Sequence, residues 1–205
     1  TVSIAKLTAT GTKNSTTFLR GDNTFASVSV NNGLELLATT TISNDASISF
    51  DSSLITDTYK SYKLIFQNIR TATDNVYIYI QVSSDNGSSY VTSGYSRAIH
   101  YVKADGTNGV ATGNGNKAGF YLNGSSGVGN ATGEGLDSEI TLFGLRSTTT
   151  AKNTVYQTSG IDSSGLLFAE HGGFLLSNTT AMNNIKVITN SGNLATGEVK
   201  FYGFS

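Results

Sequence analysis

Apolar and polar residues alternate with a period of two along most of this chain. Val76, Ile78 and Ile80 fall on one face of a predicted strand, while Tyr77 and Tyr79 fall on the other. No segment places apolar residues at the 3.6-residue spacing of a helix. The alternation therefore predicts an all-β protein of about ten to twelve short strands. The predicted strands are 35–41, 46–50, 62–67, 76–83, 94–102, 118–122, 139–142, 153–158, 165–169, 172–176, 185–187 and 199–202.

Residue pairs that favour tight turns separate these segments. Asn86-Gly87 and Asp105-Gly106 both adjoin predicted strands, and such pairs signal hairpins because they tolerate positive φ angles. Short strands at this spacing favour an antiparallel β-sandwich of jelly-roll type over an α/β fold. The region 103–135 contains ten glycines, which predicts two mobile surface loops around one short strand.

The first 33 residues differ from the rest of the chain. Phe18, Leu19 and Phe25 are their only strong apolar anchors, which is too little to bury a core. We therefore expect a connector at 1–33 followed by one β-sandwich domain at 34–205. The connector needs other chains to bury its apolar side chains, so these three residues are predicted to join copies in a homo-oligomer.

Composition excludes several classes of function. Lys plus Arg (13) nearly balance Asp plus Glu (14), whereas a nucleic-acid binder needs a basic patch. The absence of Cys excludes disulfides and thiolate metal sites. No run of 18 apolar residues occurs, so no membrane insertion is expected. The chain begins at Thr1 without a recognisable signal peptide, which suggests a fragment or a processed protein.

Residues with catalytic potential are few. The sequence contains two histidines, His100 and His171, and no G-x-S-x-G motif. Glu170-His171 precedes a Gly-Gly pair, which suggests that His171 lies at a turn. We predict no catalytic residue, no cofactor and no metal.

One acidic cluster, formed by Glu134, Asp137 and Glu139, is the strongest argument for an enzyme. A glycosidase needs two carboxylates about 5–10 Å apart. Asp137 and Glu139 would share one strand face, which fits that distance loosely. A solvated strand edge is the favoured interpretation of this cluster.

Two other motifs have structural explanations, and one further cluster is a weak candidate for a metal site. Arg20-Gly21-Asp22 has the sequence of the integrin-binding tripeptide, but we interpret it as a turn. The run 83–90 approximates an Asp-box, in which Ser and Asp side chains fasten a hairpin away from any active site. A calcium site near Asp105, Asn108 and Asn114 is a weak alternative. Many loops that contain Asp-Gly bind no calcium, so the pair is not specific for such a site.

Several tyrosines could stack on sugar rings through their faces. The alternative, favoured for any single one, is half-buried packing within the sheets or at a subunit contact. The tyrosines considered are Tyr77, Tyr79, Tyr95, Tyr101 and Tyr121.

The segment 15–25, which reads STTFLRGDNTF, resembles a motif of bacteriophage tail fibres and related appendage proteins that stands just before their distal domain. Asn23 replaces the usual Gly and also tolerates positive φ, and Phe25 replaces the usual Trp. Segments 59–69 (YKSYKLIFQNI) and 197–204 (GEVKFYGF) are similar to strands of the β-sandwich heads that follow this motif. The hairpin 82–90 is similar too, but the resemblance is thin between 103 and 135.

The resemblance implies a non-enzymatic virion appendage, most simply a trimeric tail fibre that recognises bacterial surface glycans and attaches to other virion proteins through its N-terminal side. The alternatives are a structural capsid fibre or decoration protein and a tail-associated depolymerase. Function often lies on loops of a rigid scaffold. The residues predicted to contact the glycan are Asp105, Asn108, Asn114, Asn116, Asn123 and Tyr101.

Overall fold

The computed structural model describes residues 10–12, 14, 17–27 and 33–205. The chain divides into two compact units, Thr1–Asn32 and Gly33–Ser205. The described residues form strands and turns without a helix, as the two-residue alternation predicts. The function of the first unit as a connector stays a prediction.

In the first unit, β1 (Thr17–Leu19) and β2 (Phe25–Ser27) form an antiparallel hairpin. The turn between them contains Asn23, whose φ of 61° confirms the expected positive value at this position. Leu19 lies opposite Phe25, and Phe18 lies opposite Ala26. Phe18 and Leu19 are 59% and 45% exposed, so the hairpin leaves these two side chains in solvent, whereas Phe25 is half-buried.

The second unit contains twelve strands in two antiparallel sheets. They are β3 (Glu35–Asp45), β4 (Ser47–Phe50), β5 (Ser61–Thr71), β6 (Ile78–Ser83), β7 (Tyr95–Lys103), β8 (Asn108–Lys117), β9 (Phe120–Tyr121), β10 (Gly135–Phe143), β11 (Lys152–Ile161), β12 (Leu167–Leu176), β13 (Asn184–Thr189) and β14 (Leu194–Phe204). The large sheet has the order β3-β14-β5-β10-β11-β12-β7-β8, and the small sheet has the order β4-β13-β6-β9.

A single apolar core joins the two sheets. Inward side chains of the large sheet, such as Leu64 and Ile140, belong to the same buried cluster as Ile80 and Val187 of the small sheet. The ring of Phe201 stacks between two other rings. Its centroid lies 5.3 Å from that of Tyr62 and 4.6 Å from that of Phe50. The architecture is thus an all-β, sandwich-like fold. The strand order alone does not establish the jelly-roll connection.

Two predictions for the glycine-rich part of the chain are wrong. Residues 108–117, expected to be loop, form the ten-residue strand β8, because their backbone pairs with β7. The second expected loop, after β9, is mostly buried rather than a surface loop. Its backbone is fastened by hydrogen bonds such as Val128 N to Val76 O at 2.9 Å.

The strands expected at 165–169 and 172–176 are one continuous strand, β12. His171 therefore lies in mid-strand, not at a turn. Gly172 marks a close approach of neighbouring backbones, since a Cβ atom there would lie 2.3 Å from the carbonyl oxygen of Ala98 on β7. Glycine inside a strand often has this cause.

Candidate functional site

A shallow groove lies on the outer face of the large sheet, across β5, β10, β11 and β12. Its central hollow has a volume of about 630 Å³. The outward side chains that line it are Ile65, Gln67, Asp137, Glu139, Gln157, Ser159, Ala169 and His171.

Strand register places these side chains in rows. Glu139 lies opposite Ile65 on one side and Gln157 on the other. Gln157 lies opposite His171, which in turn lies opposite His100. Because successive residues of a strand point to opposite faces, the inward neighbours of these residues form the core while the row itself faces solvent.

Ion pairs and amides fix the middle of the groove. The carboxylate of Glu139 lies 2.5 Å from Lys63 Nζ, and its other oxygen accepts a 2.8 Å hydrogen bond from Gln157 Nε2. Lys200 Nζ donates to Gln67 Oε1 at 3.0 Å and pairs with Glu198 at 3.0 Å. The positive charges of the two lysines are therefore largely balanced by the negative charges of the two glutamates with which they pair.

Other polar groups in the groove have hydrogen-bonding capacity to spare. One oxygen of Asp137 accepts a 2.7 Å hydrogen bond from the backbone N–H of Asn68, which leaves the second oxygen open to solvent. Within the described part of the chain, the Ser159 hydroxyl and the His171 ring nitrogens have no hydrogen-bond partner. Ile65 on β5 and Ala169 on β12 add aliphatic side chains at the two sides of the groove.

The groove continues in both directions along the strands. A hollow of about 360 Å³ shares Glu139, Gln157 and His171 with the central one. A hollow of about 370 Å³ at the other end shares Asp137 and Ser159 with it. The three hollows follow β10 from residue 141 to residue 135, about 20 Å at the rise of a strand. An elongated ligand matches this shape better than a compact one.

The two carboxylates expected on one strand face, Asp137 and Glu139, both line the central hollow. Glu134 lies at one end of the groove, where its carboxylate accepts a 2.7 Å hydrogen bond from the backbone N–H of Ala131. Both oxygens of Glu139 are engaged by Lys63 and Gln157. The arrangement thus supplies polar contacts along the groove, and the absence of enzymatic activity stays a prediction.

The glycan-contact residues predicted from the sequence do not come together. Asp105 and Asn108 lie at the hairpin that joins β7 to β8, whereas Asn114 and Asn116 lie near the far end of β8. The two pairs are about 25 Å apart along the strand. Tyr101 is half-buried on the face of β7 opposite to that of His100.

Asn123 is not available for ligand contact, contrary to the prediction. Its side chain is 0% exposed and fully hydrogen-bonded. Its oxygen accepts from Ile78 N at 2.8 Å, and its amide nitrogen donates to the carbonyls of Val76 at 2.9 Å and Ser126 at 2.8 Å. It fastens the chain after β9 to the small sheet, because buried backbone groups need such partners.

The calcium site considered near Asp105, Asn108 and Asn114 does not form, since Asn114 lies at the other end of β8. Asp105 instead accepts the backbone N–H of Thr107 at 2.9 Å, and this hydrogen bond lowers the pKa of its carboxyl group. No group of three or more His, Cys, Asp or Glu side chains suited to a metal ion occurs among the described residues.

Both turn motifs form the expected turns. Asp22 accepts hydrogen bonds from the backbone N–H of Thr24 at 3.1 Å and from its hydroxyl at 2.6 Å, which closes the Arg-Gly-Asp turn. In the Asp-box-like hairpin, the Ser83 hydroxyl donates a 2.7 Å hydrogen bond to the carboxylate of Asp85. The backbone N–H of Gly87 donates a 2.9 Å hydrogen bond to the Ser83 hydroxyl.

The tyrosines considered for sugar stacking are mainly packed. Tyr95 is completely buried, so it cannot contact a ligand, and burial raises the pKa of its phenol. Tyr77, Tyr79 and Tyr121 form an aromatic cluster, with ring centroids 5.0 Å apart for Tyr79 and Tyr121 and 5.9 Å apart for Tyr77 and Tyr121.

Gln157, Ser159 and His171 are the groove residues that sequence reasoning missed as a site. For Gln157 and Ser159 the alternation along β11 was the available signal, because it places both on the exposed face of that strand. His171 gave no such signal, because its neighbours on the same face of β12 are small or aliphatic. Alternation does not tell which strands are neighbours, so it could not bring these residues to Asp137 and Glu139.

No helix in the described part of the chain has the length and apolar character needed to cross a bilayer. Comparison with protein-family models, with curated proteins and with solved structures found no match for this chain.

Proposed function

We propose that this protein is a non-enzymatic virion appendage of a bacteriophage, a tail-fibre or receptor-binding protein whose outer groove contacts host surface glycans. The observation that carries the glycan part is the open groove, in which Asp137, Ser159 and His171 retain unused hydrogen-bonding capacity. The virion location rests on the resemblance of segments 15–25 and 197–204.

The chemistry of the groove matches that of a sugar chain. Sugar hydroxyls both donate and accept hydrogen bonds, and the carboxylate, amide, hydroxyl and imidazole groups of the groove offer both kinds of partner. Ile65 and Ala169 can contact the C–H faces of sugar rings. A groove about 20 Å long and open to solvent admits a polymer that extends beyond it at both ends.

The fold of the sheet prepares the site for binding. The groove side chains project from four paired strands whose inner faces are packed in the core. Little conformational freedom of the backbone is therefore lost when a ligand binds. The predicted contacts at Asp105, Asn108, Asn114, Asn116 and Tyr101 form a second, separate candidate surface on β7 and β8.

Self-association is part of the proposal. The exposed Phe18 and Leu19 of the first hairpin would be buried between copies of the chain, and a trimer is the form implied by the family resemblance. Several heads on one fibre multiply weak contacts through their high effective concentration. Light scattering tests this: wild type should be a trimer, Phe18→Ser with Leu19→Ser should dissociate it, and a monomeric wild type would contradict it.

A glycan array or host-cell binding assay on the full chain tests the groove. We expect Gln157→Ala and Ser159→Ala to reduce binding at least several-fold, because each removes a polar contact in the central hollow. Asn116→Ala tests the second candidate surface on β8. Loss of binding in this variant, with normal binding in the groove variants, would assign the site to β8 instead.

Two alternatives have distinct readouts. When virions are labelled with an antibody against the protein, electron microscopy should show the label over the head for a capsid fibre or decoration protein. For a tail fibre the label should lie at the tail tip. A depolymerase would release reducing ends from host polysaccharide and would lose this activity in Asp137→Asn. Reducing ends released by wild type would overturn the non-enzymatic assignment.

A further inference from the structure

The two histidines of the 205-residue chain, 71 positions apart in sequence, are direct neighbours in the fold. His100 on β7 lies opposite His171 on β12 in the antiparallel register. Both side chains are exposed on the outer face of the large sheet. Their ring centroids are 5.6 Å apart, with the ring planes inclined by 45°.

The surroundings of this histidine pair leave its nitrogens free. Within the described residues, neither ring makes a hydrogen bond, and neither takes part in an ion pair. The side chains on the same face two positions along each strand are small or aliphatic: Ala98 and Val102 on β7, and Ala169 and Gly173 on β12. Both rings are thus accessible, and no neighbouring group competes for their lone pairs.

The spacing of the rings suits chelation. Two imidazole nitrogens bound to one tetrahedral Zn²⁺, each at about 2.0–2.1 Å, are about 3.3 Å apart, which puts the ring centroids about 5 Å apart. The observed centroid separation of 5.6 Å is close to this value. Directly opposite residues on neighbouring strands have Cβ atoms about 4.5–5.5 Å apart, so the backbone preorganises the pair.

We propose that His100 and His171 form a two-histidine chelate for a divalent late transition-metal ion, Zn²⁺ or Cu²⁺. Imidazole nitrogen favours these ions over Mg²⁺ and Ca²⁺, which prefer oxygen. The described residues provide no third His, Cys, Asp or Glu ligand, so water completes the coordination. The absence of a hydrogen-bonded partner behind either ring makes this a weaker site than a structural zinc site.

The site stands on its own geometry and does not depend on the proposed glycan function. It does adjoin the groove, because His171 lines both the central hollow and the 360 Å³ hollow beside it. A bound ion would place positive charge beside Gln157, where the row of side chains is otherwise balanced in charge.

The experiment uses the full chain without a histidine-containing tag. Isothermal titration with ZnCl₂ should show one ion per chain, and His100→Gln or His171→Gln should each weaken binding at least about tenfold, because each removes half of the nitrogen ligands. Asn116→Ala is the control and should bind like wild type. Because both histidines are exposed, these variants should fold, which circular dichroism checks.

Electron paramagnetic resonance of the Cu²⁺-loaded wild type gives a second readout that needs no variant. We expect hyperfine structure from two equivalent imidazole nitrogens. Zinc binding that persists in the double variant His100→Gln/His171→Gln would overturn the proposal, as would a copper spectrum without two nitrogen ligands. Absence of binding at millimolar Zn²⁺ and Cu²⁺ would overturn it as well.

Discussion

The phenol of Tyr156 donates a 2.8 Å hydrogen bond to a carboxylate oxygen of Glu170 inside the core. Glu170 is 2% exposed, and it also accepts the backbone N–H groups of Gly124 at 2.5 Å and Ser125 at 2.9 Å, together with the Ser125 hydroxyl. A buried carboxylate is costly unless it is hydrogen-bonded. These donors therefore explain how β12 tolerates a glutamate on its inner face, and they tie the loop after β9 to the large sheet.

Replacing Tyr156 with Phe should destabilise the protein by about 1.5–3 kcal/mol, since the change removes a hydrogen bond to a buried charged group. Urea denaturation measures this. Tyr202→Phe is the matched control, because the half-buried Tyr202 hydroxyl has no hydrogen-bond partner in the described part of the chain. Equal stability losses in the two variants would contradict a special role for the bond to Glu170.

Asn123→Ala should cost about 2–4 kcal/mol of folding free energy, because it removes three hydrogen bonds that its side chain makes to buried backbone groups. Thermal unfolding followed by circular dichroism checks the loss. Asn116→Ala, at an exposed position of β8, should stay within about 0.5 kcal/mol of wild type. A neutral Asn123→Ala would show that solvent replaces these hydrogen bonds.

Acid sensitivity should be measurable at Asp85. Hydrogen bonds from the Ser89 hydroxyl at 2.6 Å and the Ser83 hydroxyl at 2.7 Å lower its pKa from 3.8 to about 2. The ionised form is thus favoured in the folded state. Its contribution to stability is complete above about pH 4 and is lost as the pH falls through about 2.

The stability difference between wild type and Asp85→Asn should therefore shrink between pH 5 and pH 2. Urea denaturation at several pH values measures it. Asp74→Asn is the control, since the exposed Asp74 accepts no hydrogen bond among the described residues. A difference that is constant with pH would mean that the hydroxyls do not favour the ionised carboxylate.

Gly172→Ala should be strongly destabilising, by about 2 kcal/mol or more, for two reasons. Its φ is 155°, and a Cβ atom would lie 2.3 Å from Ala98 O and 2.7 Å from Ile99 Cα. Gly33→Ala is the control, because among the described residues its Cβ would meet no atom within 4 Å. Similar melting temperatures for the two variants would be inconsistent with the close approach of β7 and β12.

The two-residue alternation was enough to predict an all-β protein and most of its strands, because an exposed sheet face and a buried one impose that period. It failed at β8, whose glycine- and asparagine-rich sequence has little side-chain pattern. There, pairing of the backbone with β7 decides the structure, and backbone hydrogen bonds leave no signature in side-chain polarity.

Asn123 and Glu170 illustrate a second limit. Their polarity predicts exposure, yet both are buried because each meets several partners in one place. These partners come from distant parts of the chain, and the free energy of burying a polar group depends on them rather than on the residue itself.

Local sequence was sufficient to predict which residues share a strand face, as for Asp137 with Glu139, and which turns accept positive φ, as at Asn23. These properties depend on a few adjacent residues. Strand pairing in the folded protein is what brings Glu139 beside Gln157 and His171 opposite His100. The order of strands depends on packing summed over the whole core, so residues far apart in sequence meet only once the sheet has formed.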